Sequence, residues 1–263
     1  MCTLTWTHRL AAVDESTAES TAGGTGSSYQ LWFNRDELRT RGDEVPPAVE
    51  TTPSGVRYIA PADSDAGGTW LAVNEAGVTV ALLNGYRDSK GPPRESWTSR
   101  GHLVRSMADV TGPDEAWTRL TPARMAEYRP AIVVVVAPDA PTLIARWDGL
   151  DLAMDPIGER QLPVTSSSYE QDAVQRARRR LYRAIVSNGD PGPPSPELLA
   201  AYQSHVGEGG PDAFTPSMSR PDAATRSQCH VAVDGSAVRL SYAPGPPHET
   251  AHGEPLSIER RTG

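Results

Sequence analysis

The chain has 263 residues, a net charge of −8 at pH 7 and only two cysteines. This length is sufficient for a large core, and we expect one domain over residues 1–263. The acidic charge and the 6% aromatic content give no sign of a nucleic-acid surface. Two cysteines argue against a disulfide framework and are typical of a reducing compartment. The longest apolar run, at 131–137, is too short for a membrane span, and no basic and apolar leader begins the chain. We therefore expect a soluble cytoplasmic protein.

The first part of the chain is predicted to form mainly strands. Their segments, each with an alternating pattern or a turn signal, are 2–10, 29–37, 55–61 and a hairpin at 69–85. A polar, Ser/Thr/Gly-rich stretch at 12–28 predicts a long hairpin loop between the first two strands. Helical spacing follows at 96–109, with Ser96 as its N-cap.

The second part alternates between hairpins and helices. The run AIVVVVA opens a hairpin at 131–149, and because it is apolar on both faces we expect its first strand to be buried between layers. The other predicted elements are a helix at 167–186 with Tyr169, Ala173, Ala177, Leu181 and Ala184 on its apolar side, a helix at 195–206 and a hairpin at 229–245. This arrangement favours stacked antiparallel sheets with outer helices.

The position of Cys2 directly after Met1 allows two interpretations. Cys2 alternates with threonines and could be a small core side chain, as we also expect for Cys229. Alternatively, removal of Met1 would give Cys2 a free α-amine with a pKa of about 7.7–8.0, close enough to neutrality to act as a base. A nucleophile with a base in the same residue is one route to covalent catalysis.

Two further stretches carry polar groups at predicted strand ends. In FNRDE (33–37), Arg35 and Asp36 either form a solvated strand end or lie near the N-terminus across the first hairpin. There a carboxylate would orient the α-amine, and an arginine would favour thiolate over thiol. Asn84 ends the strand before Gly85, where its amide could donate to an oxyanion, although Asn-Gly is also a common turn pair.

Two other motifs are predicted to have no chemical role. HETAH (248–252) has the spacing of a zinc protease motif, but its Pro and Gly neighbours argue against the helix that zinc binding needs. We therefore predict no metal site. RARRR (176–180) is expected to be a solvated helix face.

These residues together resemble the NRDE family, also called the transport and Golgi organisation protein 2 family. The matching segments, in the order of the family, are MCTL, FNRDE, GGTWLAVNEAG, ALLNG, SRGHLV and TRSQ. The chain is more distantly similar to the cysteine N-terminal-nucleophile hydrolases, which include bile salt hydrolase and penicillin V acylase. That resemblance implies an α+β fold, a four-layer αββα sandwich.

The resemblance also implies site residues. It makes Cys2 the nucleophile, Asp36 the residue that holds its amine, Asn84 an oxyanion donor and Arg35 a pocket cation. Candidate substrate contacts are Asn34, Trp70 and Arg226, with Arg220 as the alternative to Arg226. At a mid-chain position where those hydrolases carry an asparagine, the segment at 164–170 offers serine.

Two functions remain open from the sequence. The first is an N-terminal-cysteine amidohydrolase or acyltransferase that acts on a non-peptide C–N bond of a small molecule and needs no cofactor. The alternative is a non-catalytic protein on the same fold that binds or carries haem or an acylated metabolite. The sequence leaves the substrate and the oligomeric state undetermined.

Overall fold

The fold was described from a computed structural model, for residues 2–9, 27–86, 90–91, 95–155, 162–187 and 192–261. Within these residues, thirteen strands form two antiparallel sheets. From edge to edge, the six-stranded sheet contains the strands at 164–166, 2–9, 28–38, 223–233, 237–243 and 256–259, and the seven-stranded sheet is a meander of strands that follow one another along the chain. The predicted loop at 12–28 lies outside the described residues except for its last two positions.

The six-stranded sheet combines both ends of the chain. Its strands are β1 Cys2–Arg9, β2 Ser28–Leu38, β10 Val164–Ser166, β11 Ala223–Val233, β12 Ala237–Ala243 and β13 Leu256–Glu259. The strands of the seven-stranded sheet are β3 Glu44–Thr51, β4 Arg57–Asp63, β5 Leu71–Asn74, β6 Thr79–Asn84, β7 Ala131–Ala137, β8 Ala140–Trp147 and β9 Leu152–Asp155. All the predicted strands are present, whereas β3, β9, β10 and β13 were not predicted.

The two sheets stack face to face over a shared apolar core. In the six-stranded sheet Leu4 and Phe33 point inward, and they pack with Leu83 and Val134 of the other sheet. All seven residues of β7 are buried, in agreement with the prediction for AIVVVVA. The successive side chains of a strand alternate between its faces, so every second residue of β1 and β2 faces the helices instead.

Helices cover both outer faces. The helices are α1 Arg100–Arg105, α2 Pro113–Arg119, α3 Pro122–Met125, α4 Gln171–Tyr182, which continues into a π-helical turn Arg183–Ser187, and α5 Pro196–Gln203. The first three pack on the seven-stranded sheet, where Leu103 and Met125 contact its outer side chains. On the other side, Gln203 of α5 donates to Thr5 of β1 at 2.9 Å. The predicted four-layer αββα sandwich is therefore confirmed. Within the described ranges, every helix falls short of the length and apolarity that a bilayer crossing requires.

Two helix predictions need correction. The predicted helix at 96–109 begins only at Arg100, and Ser99 rather than Ser96 is its N-cap. The helix predicted at 167–186 begins at Gln171, after Glu170, which has a positive φ of 37°.

The predicted apolar face of this second helix is also wrong. The stripe buried in α4 is Val174, Arg178 and Tyr182, four residues apart, while Tyr169 is 43% exposed. An arginine lies in this stripe because a carboxylate of the sheet compensates its charge, as described below.

Candidate active site

Cys2 begins β1 between two neighbouring strands. In the strand register it is paired with Arg35 of β2 on one side and with Ser166 of β10 on the other. Paired residues of adjacent strands share a face, so the three side chains lie on the inner face of the sheet. The Cys2 side chain is only 6% exposed and belongs to the edge of the inter-sheet core.

A cleft of about 470 Å³ opens at this end of the two sheets. Its lining includes Cys2, Arg35, Asp36, Asn84 and Trp70. The structure thus brings together the four candidate catalytic residues and one of the three candidate substrate contacts. Of the two interpretations of FNRDE, the solvated strand end is wrong, because Arg35 and Asp36 are both buried.

The Arg35 guanidinium is fixed by carboxylates and by an aromatic ring. It forms ion pairs with Glu44, and with Glu37 and Asp63 at 3.3 Å each, and its guanidinium carbon lies 4.5 Å above the centre of the Trp70 ring. Burial lowers the pKa of Arg35, but the carboxylates, Glu44 first among them, outweigh burial and raise it overall. Arg35 is therefore a permanent cation beside Cys2.

The Cys2 thiol is held in its protonated form by burial. Burial raises the pKa of this thiol to about 11, and the negative charge of Asp36 contributes to the rise. The charge of Arg35 and a backbone hydrogen bond from Asp36 act in the opposite direction. The site therefore supplies groups that favour the thiolate but leaves the thiol neutral near pH 7 unless a base removes its proton.

The Asp36 side chain is held by an arginine that the sequence analysis assigned to solvent. Arg178 of α4 is fully buried, and both of its terminal nitrogens lie 3.4 Å from Asp36 Oδ2. Thr225 of β11 donates to Asp36 Oδ1 at 2.6 Å. Arg178 also donates to Thr3 and Thr165, the neighbours of Cys2 and Ser166. The prediction that RARRR is a solvated face is thus wrong for Arg178, which links α4 to three strands around the cleft.

Two polar groups near Cys2 retain hydrogen-bonding capacity. Asn84 donates to the Tyr86 hydroxyl at 3.3 Å through its side-chain nitrogen, which carries a second N–H. The Ser166 hydroxyl is buried and has no hydrogen-bond partner among the described residues. Either group could donate to an oxygen that develops negative charge next to the thiol.

Three candidate residues lie away from the cleft. Asn34 faces the helices and is fully buried, where it donates to Gln203 O at 2.8 Å and to Pro216 O at 3.0 Å. Arg226 lines a separate cleft of about 700 Å³ and pairs with Asp43. Arg220 pairs with Asp222 and lines neither cleft. The expectation that Asn34 and Arg226 contact a substrate beside Cys2 is therefore corrected.

The HETAH segment forms a turn rather than a helix, as its Pro and Gly neighbours predicted. His248 Nδ1 lies 2.6 Å from the Ser217 hydroxyl, so one of the two ring nitrogens of His248 is already hydrogen-bonded. Within the described ranges, no group of three or more His, Cys, Asp or Glu side chains is arranged to hold a metal ion.

Three arginines of the cleft, Arg41, Arg100 and Arg129, were not among the predicted site residues. Arg100 reaches the cleft because the first turn of α1 packs directly on the segment before β5. Cβ atoms at Gly68 or Gly101 would lie within 3 Å of the backbone of the other segment, so both positions require glycine. The motif SRGHLV contains both Arg100 and Gly101, but only the packing shows where the guanidinium lies.

The fold and the site define a class of protein: an αββα sandwich with a cysteine at the start of its first strand, in a polar cleft between the sheets. Residues 21–137 match the family model described as Transport and Golgi organisation 2, which confirms the resemblance seen in the motifs. A comparison with curated protein sequences found no match.

Solved structures similar to this chain include an acylase and a hydrolase. Penicillin V acylase from Agrobacterium tumefaciens is 13% identical, with a TM-score of 0.47, over 88% of this chain and 82% of that one. A mutant of conjugated bile acid hydrolase from Clostridium perfringens is 10% identical, with a TM-score of 0.46, over 88% of each chain.

Proposed function

We propose that the chain is an N-terminal-cysteine amidohydrolase or acyltransferase that acts on a non-peptide C–N bond of a small molecule. The observation that carries the proposal is the position of Cys2, whose thiol lies in a polar cleft with Arg35, Asn84 and Ser166 around it. Cys229 of the same core provides the comparison. The charge of Arg35 acts on it as well, but Cys229 has no exposed surface and does not line the cleft, whereas Cys2 does.

The first step requires a base, because burial holds the thiol neutral. After removal of Met1, the α-amine of Cys2 takes the thiol proton, directly or through a water molecule. This amine belongs to the backbone and lies in the plane of the sheet, where Asp36, fixed by Arg178 and Thr225, can orient it. The Arg35 charge stabilises the resulting thiolate.

The thiolate then attacks the amide carbonyl carbon, forming a C–S bond while the carbonyl oxygen becomes an oxyanion. Asn84 and Ser166 are the side chains that can donate to this oxygen. When the intermediate collapses, the C–N bond breaks and the protonated α-amine gives its proton to the leaving nitrogen. Water, or an acceptor amine in an acyl transfer, then cleaves the thioester and regenerates the thiol.

An apolar part of the substrate has a place next to the cleft. A cavity of about 480 Å³ is lined by Gly85 and Tyr86 directly after Asn84 and by the apolar side chains of Ile132, Trp147 and Val164, with charged side chains such as Arg146, Asp148 and Arg179 elsewhere in its lining. An acyl chain would bury its surface there against these side chains. The same cavity suits the alternative function, in which an acylated metabolite is carried without turnover.

Intact-mass measurement tests the proposal. Untagged protein is first weighed to establish the loss of Met1, and is then incubated with a panel of N-acyl compounds of different chain length. We expect a transient acyl adduct on Cys2 and release of the free amine, with neither in Cys2→Ala protein. Retained Met1, or release of amine at equal rates from both proteins, would contradict the proposal. Binding of haem or an acyl compound in stoichiometric amount, without turnover, would favour the carrier.

A further inference from the structure

The arginines of the cleft differ in how their charges are compensated. Arg35 and Arg41 each pair with carboxylates, Asp63 among them. Arg100 and Arg129 line the same cleft, yet among the residues that the structure describes no carboxylate forms an ion pair with either. Glu95, also at the cleft, is exposed and unpaired within those residues. Within the described part of the chain, the cleft therefore contains two guanidinium groups that no carboxylate contacts directly, although the charge of Glu37 acts on Arg100 from a distance.

Arg100 is held in place by the backbone beside the candidate active site. Its Nη1 donates to the Pro130 carbonyl at 2.8 Å, and the Gly85 N–H donates to the same oxygen at 2.8 Å. This shared acceptor fixes the guanidinium next to the segment that contains Asn84. Most N–H donors of the Arg100 guanidinium remain without an acceptor among the described residues, so a planar set of donors is available to a ligand.

The surroundings of Arg100 favour an anion. Burial and the nearby charge of Arg129 lower the pKa of Arg100, and together they outweigh Tyr86, Cys2 and Glu37, which raise it. Both effects oppose the charged form, and a negative group between the two guanidinium groups would relieve both. Arg100 is also close enough to Cys2 for the two charges to interact. A small molecule whose carbonyl group lies at the Cys2 thiol could therefore place a negatively charged group at Arg100.

We propose that Arg100 and Arg129 form an anion subsite, which binds a carboxylate or phosphate group of the substrate while its amide carbonyl lies at Cys2. Guanidinium groups bind both of these oxyanions through paired N–H donors. The substrates are then amides that carry a negative charge. The inference rests on the proposed function for its substrate, but the subsite itself can be tested without turnover.

Charge selectivity in the alkylation of Cys2 provides the first test. Iodoacetate and iodoacetamide carry out the same chemistry and differ in charge, so the ratio of their rates, normalised to glutathione, reports the local anion preference. Because a charge-assisted hydrogen bond contributes about 1.5–3 kcal/mol, we expect Arg100→Gln and Arg129→Gln each to lower this ratio about tenfold or more. Arg39→Gln, in the separate cleft, is the matched control and should leave the ratio unchanged. An unchanged ratio in both cleft variants would overturn the subsite.

Binding measurements on Cys2→Ser protein test the anion subsite independently of hydrolysis, and they distinguish a carboxylate ligand from a phosphate ligand. The probes are N-octanoylglycine, N-octanoyl-O-phosphoethanolamine and the uncharged N-octanoylethanolamine, titrated calorimetrically. We expect one anionic probe to bind about tenfold tighter than the uncharged one, and Arg129→Gln to abolish the difference. Equal affinity for all three probes would overturn the proposal. If an anion preference is found but wild-type protein turns over none of them, the subsite stands and the hydrolase function fails.

Discussion

The buried pair of Asp36 and Arg178 gives a sharp prediction about stability. Both side chains are fully buried, and Arg178 is the one guanidinium among the described residues that contacts Asp36. Arg178→Met would remove this guanidinium from the carboxylate, while the hydrogen bond from the Thr225 hydroxyl stays. Removing one partner of a buried ion pair typically costs about 3–5 kcal/mol, because the remaining charge is uncompensated.

The magnitude of this loss can be measured directly. For a chain of this size, about 3–5 kcal/mol corresponds to a fall in Tm of roughly 6–20 °C. Urea unfolding at pH 7, followed by circular dichroism, gives the free energy of unfolding. Arg119→Met is the control, since Arg119 forms partly exposed ion pairs and such pairs contribute about 0–1 kcal/mol.

A double variant separates the structural role from the chemical one. In Asp36→Asn/Arg178→Met both positions of the pair are uncharged, so we expect most of the lost free energy of unfolding to return. If Asp36 orients the α-amine, Cys2 of the double variant is alkylated by iodoacetamide more slowly than Cys2 of the wild-type protein, even though the free energy of unfolding has recovered. A loss below about 1 kcal/mol in Arg178→Met, or no recovery in the double variant, would refute the reasoning about the buried pair.

Three other outcomes follow from the structure. Limiting iodoacetamide should label Cys2 before Cys229, because Cys229 has no exposed surface and burial raises its pKa well above that of Cys2. Peptide mapping measures the two labels, and equal labelling would indicate that Cys2 is an ordinary core side chain. His230 is stacked on Trp32, and burial lowers its pKa to about 4, so unfolding binds protons and stability falls as the pH drops from about 6.5 towards 4. His230→Phe should remove on the order of 2–3 kcal/mol of that pH dependence in urea titrations, and a wild-type profile in the variant would contradict this. Chelation and dialysis should leave activity and Tm unchanged, and metal analysis should find less than one equivalent of zinc. Loss of folding in His248→Ala would show that the prediction of no metal site at HETAH is wrong.

The sequence predicted most of the sheet framework because alternation and turn residues are local signals. The hairpins at 69–85 and 131–149 lie where their patterns predicted them. The strand β3 gave no such signal, because its sequence EVPPAVET contains two prolines. It is an edge strand with a shift of register between Val45 and Ala48, the kind of position that accepts proline.

Site residues were predicted correctly where their position along a strand determines which residues they face. They were missed where the packing of separate elements determines their neighbours. Cys2 and Arg35 face each other because they are paired across the first hairpin. Arg178 was assigned to solvent because charge normally marks the exposed side of a helix, and only the position of Asp36 beneath it reverses that rule. Asn34 was misplaced for a related reason: it is one residue from Arg35, and one residue along a strand changes the face of the sheet.

The order of strands in the six-stranded sheet has a consequence for how the protein matures during synthesis. The seven-stranded meander uses one continuous stretch of chain, so its neighbours are available as soon as they emerge. Cys2, in contrast, receives its second neighbour only with Ser166, and Asp36 is bonded by Arg178 and Thr225, which are synthesised later still. A nascent chain therefore contains Cys2 and Arg35 long before the side chains that fix Asp36 have been synthesised. The candidate site is completed only after Thr225 has been added, so a shorter chain holds the thiol without its full set of neighbours.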